Sequence, residues 1–113
     1  MYKLIGGKNL MKTTIKDPRL DFLFEAIMTL QDLDECYEFF EDLCTVSELQ
    51  EMSRRLVAAR MLMNNHIYSE IAEKTGLSTA TISRVNKCLK YGNEGYIKAL
   101  ERMEYRERAT RRK

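Results

Sequence analysis

The sequence predicts an all-α domain of six helices with a helix-turn-helix in its C-terminal half. Three observations carry that expectation. Apolar residues recur at three- and four-residue steps almost throughout, the period of an α-helix with one covered face. The 113 residues contain a single Pro. Capping residues also stand where most of the periodic runs begin.

Taken in order, residues 1–16 read as an N-terminal arm with little pattern. Asp17-Pro18 supplies an N-cap with Pro at the first helical position. Leu20, Leu23, Phe24, Ile27 and Met28 then share one face. A second, short helix is expected from about Asp34, with Cys36, Phe39, Phe40 and Leu43 on its apolar side. Thr45-x-x-Glu48 is a capping box that opens the third helix. Leu49, Met52, Leu56, Ala59 and Met63 follow at helical spacing to about Asn64, and Val57, Met61 and Leu62 add apolar surface off that stripe. A helix apolar around so much of its circumference needs cover on more than one side, which in so short a chain favours a second subunit. Tyr68 to Lys74 forms a two-turn helix, Gly76 breaks it, and Ser78 to about Lys90 forms the next. Tyr91-Gly92-Asn93 is turn chemistry. The last helix starts near Glu94, carries Tyr96, Ile97, Leu100, Met103 and Tyr105, and is expected to dissolve into Arg106–Lys113.

The domain is bounded at 17–107, with the helix-turn-helix at 68–90 and a basic tail at 108–113. Composition excludes several classes. No apolar run approaches the roughly 20 residues of a membrane span, and the N-terminus lacks a signal-peptide pattern, so the protein is expected to be cytoplasmic. Cys36, Cys44 and Cys88 show no Cys-x-x-Cys spacing and read as small apolar fillers in a reducing compartment. His66 is the sole histidine, and its place after Asn64-Asn65 suits a helix C-terminus better than a metal site. No phosphate-binding loop, Gly-x-Ser-x-Gly or metal-ligand cluster is present. The chain is read as a non-enzyme without a cofactor. Net charge is +2, unevenly spread: the acidic excess falls before Leu43 and the basic excess after it, a mild pointer to an anionic ligand.

The segment Tyr68–Leu89 is the most informative. Counting Tyr68 as the first position of a helix-turn-helix puts Ala72 fifth, where a small residue lets the second helix cross. Gly76 is ninth, where positive φ turns the chain. Ile71, Leu77, Ile82 and Val85 are expected to lock the two helices into one corner, and Ser78 to cap the second. This leaves Ser78, Thr79, Ala80, Thr81, Ser83, Arg84 and Lys87 on the outer face. Small hydroxylated residues at a helix N-terminus suit a major groove and its phosphates. Thr and Ala methyls can meet thymine methyls, and Arg84 can grip a guanine edge or a phosphate. The partner this pattern fits is double-stranded DNA.

The run TVSELQEMSRRLVAARMLMNN, the segment ATISR (Ala80–Arg84) and the following KCLK resemble the Trp repressor superfamily, specifically its TrpR-like group labelled YerC/YecD. The six-helix layout from Pro18 to Glu107 is similar too. The resemblance implies an intertwined homodimer with two heads reading a two-fold symmetric site. It also implies a place for an effector between core and head. Arg55 and Arg84 match the arginines that sandwich L-tryptophan in the repressor, and Thr45 a residue near that ligand. Val85 stands where the repressor has glycine, and Cys88 where it has a serine that helps hold the ligand's amino group. Asp42 and Cys44 replace apolar residues that line the ring. L-tryptophan is therefore not expected as corepressor.

The function expected is a sequence-specific DNA-binding transcriptional regulator, a repressor by resemblance. The alternative is a homodimeric interaction module whose helix-turn-helix surface docks another protein. The basic tail is read either as a solvated helix end, whose cations suit a helix C-terminus, or as an arm on DNA.

Overall fold

The computed structural model describes residues 2–5, 8–12 and 15–111. Six helices follow one another: α1 (Pro18–Ile27), α2 (Leu33–Leu43), α3 (Val46–Met63), α4 (Tyr68–Thr75), α5 (Thr79–Tyr91) and α6 (Gly95–Arg111). The expected all-α, six-helix architecture is observed, with one addition. Ahead of the helices, β1 (Tyr2–Ile5) and β2 (Lys8–Lys12) pair antiparallel, in a register running from Tyr2 opposite Lys12 to Ile5 opposite Lys8. The arm read from sequence as unpatterned thus contains two short strands. The available signal was the Gly6-Gly7 dipeptide between two short runs.

The chain divides into two compact units at Leu49/Gln50, within the continuous helix α3. In the first unit each helix start is fixed by a side-chain cap. Asp17 accepts from the Arg19 backbone N–H at 2.6 Å, with Pro18 at the first helical position. Asp32 accepts from the Glu35 backbone N–H at 2.9 Å, so α2 begins one residue earlier than Asp34. The Glu35 carboxylate reaches back to the Gln31 N–H at 3.0 Å. Phe39 and Phe40 meet edge to face, with centroids 5.4 Å apart. Neither α1 nor α2 has a buried residue. Phe22, Met28 and Leu33 are 77, 83 and 72% exposed.

The capping box that opens α3 is formed in both directions. The Thr45 N–H donates to Glu48 Oε1 at 2.8 Å, and the Glu48 N–H donates to Thr45 Oγ1 at 3.1 Å. These contacts hold the Glu48 carboxyl below its ordinary value of 4.5, the Thr45 backbone N–H contributing most and the Thr45 hydroxyl next. A depressed folded value means that the cap's ionic contribution is complete above the unfolded value. It is lost as pH falls from about 4.5 through the lower folded value. Thermal unfolding followed from pH 6 to pH 3 should therefore lose a component in that window that Glu48→Gln lacks; identical profiles would remove this linkage.

At its other end α3 closes in a Schellman motif. Asn65 adopts a left-handed φ of 65°, its N–H donates to the Leu62 carbonyl, and the His66 N–H donates to the Met61 carbonyl, both at 3.1 Å. His66 has the local C-terminal place its position suggested, 3.7 Å from Glu70.

Among the described residues, the buried ones lie in the second unit, Gln50 onward. Ala58, Ile71, Leu77 and Ile82 form one cluster, flanked by Met61, Leu62, Tyr68 and Ala72. Ala59, Val85 and Leu100 form another, flanked by Leu62, Leu89 and Tyr96. Two adjacent alanines on α3 let helices approach on both sides, so Leu62 borders both clusters. Each fully buried Ile contributes about 1.5–3 kcal/mol through removal from water.

Two sequence expectations are corrected here. Val85 does not lock α5 to α4: it joins α5 to α3 and α6, through Ala59 and Leu100. The period places Val85 on an inner face without saying which helix covers it. In addition, α6 does not dissolve after Tyr105 but continues to Arg111. Arg108 pairs with Glu104 at 2.6 Å and the Thr110 hydroxyl donates to the Arg106 carbonyl at 3.0 Å. No Gly or Pro follows Gly95 to break the run.

Candidate nucleic-acid interface and adjoining cleft

The helix-turn-helix is built as its spacing requires. At the end of α4, Gly76 has φ +75°, and its N–H donates to the Ala72 carbonyl at 2.8 Å. A Cβ there would meet nothing within 4 Å, so the demand for glycine is conformational, not steric. Gly76→Ala is expected to cost about 1–2 kcal/mol through left-handed strain alone, read as a lower urea midpoint with an unchanged slope. Gly92, at the far end of α5, is the opposite case. Its φ is ordinary, but an added Cβ would lie 2.5 Å from the Cys88 carbonyl oxygen.

The turn between Gly76 and Ser78 is held from inside. Buried Thr75 donates its hydroxyl to the Ile71 carbonyl at 2.7 Å and accepts from the Leu77 N–H at 3.2 Å. Ser78 then caps α5, accepting from the Thr81 N–H at 3.1 Å. At the middle of the pair, Asn86 Nδ2 donates to the Tyr68 hydroxyl at 3.1 Å, tying α5 back to the start of α4. Sequence reasoning missed Thr75 and Asn86, because a polar residue on an inward face shows no partner until the crossing is known.

Of the residues expected on the outer face, Ser78, Thr79, Ala80, Arg84 and Lys87 are exposed. Thr81 and Ser83 are half-buried, at the edge of that face. Thr81 is turned to the cap, its hydroxyl accepting from Ser78 Oγ at 3.0 Å. The two exposed cations, Arg84 and Lys87, form no ion pair among the described residues.

Beside α5 lies a cleft of about 120 Å³ lined by Glu51, Arg55, Thr81, Arg84, Val85, Cys88 and Tyr96. It brings together four of the five residues matched to an effector site, Arg55, Arg84, Val85 and Cys88. Thr45 belongs to the other unit, with its hydroxyl engaged in the α3 cap. Glu51 and Tyr96 were missed; Glu51 lies one turn before Arg55 on the same face, a signal available in the sequence. Val85 is 3% exposed, its side chain taken up by Ala59 and Leu100. Cys88 is exposed, which corrects its reading as an apolar filler, whereas Cys36 and Cys44 are half-buried.

Among the described residues no group of three or more His, Cys, Asp or Glu could hold a metal ion, and no helix is long and apolar enough to cross a membrane.

Comparison with known proteins places this geometry in a family. The family model described as Trp repressor protein matches residues 18–104. The uncharacterized protein YerC of Bacillus subtilis (strain 168) is 51% identical over 90 residues, covering 80% of this chain and 86% of that protein. The crystal structure of a TrpR-like protein from Eubacterium eligens is similar with a TM-score of 0.77 at 52% identity, over 80% of this chain and 93% of that one. A Trp repressor candidate from Staphylococcus aureus follows, with a TM-score of 0.76 at 48% identity, over 80% of this chain and 90% of that one. The chain, with its six helices and its helix-turn-helix, belongs to the Trp repressor family, in the TrpR-like YerC group.

Proposed function

We propose that the protein is a sequence-specific DNA-binding transcriptional regulator that acts as a homodimer in the cytoplasm, with α5 as the recognition helix in the major groove. The observation that carries this reading is the division of labour along α5. Ile82 and Val85 are buried, while Ser78, Thr79, Ala80, Arg84 and Lys87 are exposed on the other side, the two cations forming no ion pair among the described residues. A helix held rigidly from behind, with a small, hydroxyl-rich N-terminal turn and free cations, suits base edges and phosphates. Thr81 and Ser83 flank that surface.

The homodimer is supported by the apolar side chains left open on α1 and α2. Exposed apolar surface of this extent on helices without a buried residue marks an association surface. A two-fold dimer would set half-sites about 34–36 Å apart or a multiple of it.

L-tryptophan is not the effector in this reading. The cleft beside Arg55 and Arg84 encloses about 120 Å³, below the roughly 300 Å³ at which small-molecule pockets usually begin. Val85 bounds it, and Cys88 offers a weaker hydrogen-bond partner than a hydroxyl would.

Selection of bound duplexes from a random pool, with and without L-tryptophan, tests all of this. The expected result is a palindrome recovered equally in both conditions. A palindrome that needs tryptophan would overturn the effector reading and leave DNA binding standing. No enrichment in either condition would favour a protein-docking module.

A further inference from the structure

The ribbon formed by β1 and β2 lies ahead of residues 18–104, the part of the chain that matches the family model. Its charge is of one sign. Residues 1–16 carry Lys3, Lys8, Lys12 and Lys16 and no Asp or Glu, whereas Arg19 is the only cation from Asp17 to Leu43. Lys16 is engaged, its Nζ donating to Asp21 Oδ1 at 2.9 Å. The other three lysines all belong to the two strands.

The pairing of the strands distributes these three. Lys3 stands opposite Met11 and Ile5 opposite Lys8, while Tyr2 stands opposite Lys12 and Leu4 opposite Asn9. Residues directly opposite each other in an antiparallel ladder share a face, and successive residues along a strand alternate. The register therefore assigns Lys3 and Lys8 to one face and Lys12 to the other. One side of an acidic helix would engage a single face of such a ribbon. A groove of a duplex surrounds what enters it, so long lysine stems from either face can reach a phosphate wall. The dimensions agree with this occupant. A two-stranded ribbon enters a major groove about 12 Å wide. At about 3.4 Å per residue, β2 is about 17 Å long, which spans about five base pairs. A two-stranded hairpin is marginal by itself in water, so a partner that engages both faces also stabilises it.

We infer that the ribbon is a second duplex contact: it lies in the major groove of DNA flanking the site read by α5, with Lys3, Lys8 and Lys12 on phosphates. The contact rests on the proposed duplex binding by α5 and extends it. A lysine is a point charge that grips phosphate without reading a base. The ribbon therefore adds affinity, salt dependence and a demand for flanking duplex, and leaves the sequence preference of α5 as it is.

The test compares two duplexes bound by the full chain. One holds only the palindrome recovered by selection, and the other adds about one turn, about 10 base pairs, of unrelated sequence at each end. The wild-type protein should bind the longer duplex at least about 10-fold more tightly at about 0.1 M NaCl. Lys3→Gln with Lys8→Gln and Lys12→Gln should bind the two alike, matching the wild type on the shorter. On the longer duplex its salt slope should be shallower by about 2–3 for each ribbon engaged, since each lost phosphate contact removes about 0.9. Arginine at the same three positions should keep the length preference, which separates charge from any damage to the strands. A wild type indifferent to length, or a Gln variant that keeps both the preference and the slope, would overturn the inference and leave α5 as the reader. So would a Gln variant equally weakened on both duplexes, or one that loses the dimer in sedimentation and keeps the length preference. A wild type that binds neither duplex would overturn the duplex reading with it.

Discussion

Ile82→Ala should destabilise the protein by about 2–5 kcal/mol, the range for deleting a fully buried branched side chain without collapse of the site. Ile82 is 0% exposed and packs with Ala58, Ile71 and Leu77. Its neighbours come from α3, α4 and the turn into α5, each fixed by its own backbone hydrogen bonds, so they cannot easily close over the gap. The midpoint of thermal unfolding should drop by more than about 8 °C, since 1 kcal/mol moves a domain near this size by about 4–8 °C. Protein concentration must be held constant, because a dimer's apparent stability depends on it. Ile82→Val, which removes one methylene, should cost about 0.5–1.5 kcal/mol. Lys87→Ala, on the exposed side of the same helix, should stay within about 0.5 kcal/mol. An Ile82→Ala protein melting with the parent would mean that the cluster does not hold the head together.

Arg84→Glu should weaken duplex binding by at least about 100-fold while leaving the unfolding midpoint almost unchanged. A bidentate guanine contact is worth about 1–3 kcal/mol, and placing a carboxylate against phosphates adds a repulsion of several more. Because Arg84 is exposed and forms no ion pair among the described residues, folding takes no comparable share. Arg84→Gln separates two modes of contact. Loss of preference at one base pair of the recovered site identifies base reading. A uniform loss across sequences, with the salt slope reduced by about one, identifies a phosphate contact. Unchanged affinity in Arg84→Glu would remove α5 from the interface.

Much of this was legible before any coordinates. The turn at Gly76 could be placed because positive φ, a small residue at Ala72 and a hydroxyl cap at Ser78 are local demands with local signatures. The surplus apolar surface of α3 was legible in the same way, since periodicity reports how much of a helix wants cover. What periodicity cannot report is the identity of the cover. Val85 was rightly turned inward and wrongly given to α4, when Ala59 and Leu100 receive it. The cleft was visible only in part: Arg55 and Arg84 came by resemblance, but Tyr96 lies beyond the Gly92 turn, and only the packing of α6 brings it near. The length of α6 was underestimated because a charge-rich end reads as tail, whereas Glu104–Arg108 and the Thr110 back-bond keep it wound.

The turn, the cap and the inner face of α5 have a consequence for how such proteins diversify. Thr75, Gly76 and Ser78 fix the path of the chain through backbone contacts, and Ile82 and Val85 fix the helix from behind. The exposed positions Thr79, Ala80, Arg84 and Lys87 have no part in either task. These four side chains can therefore be exchanged with little loss of foldedness, and under the proposed function target preference would drift while the scaffold stays still. A library randomised at those four codons should yield mostly folded members, with divergent sites if α5 reads duplex as proposed, a replaceable edge on a fixed handle.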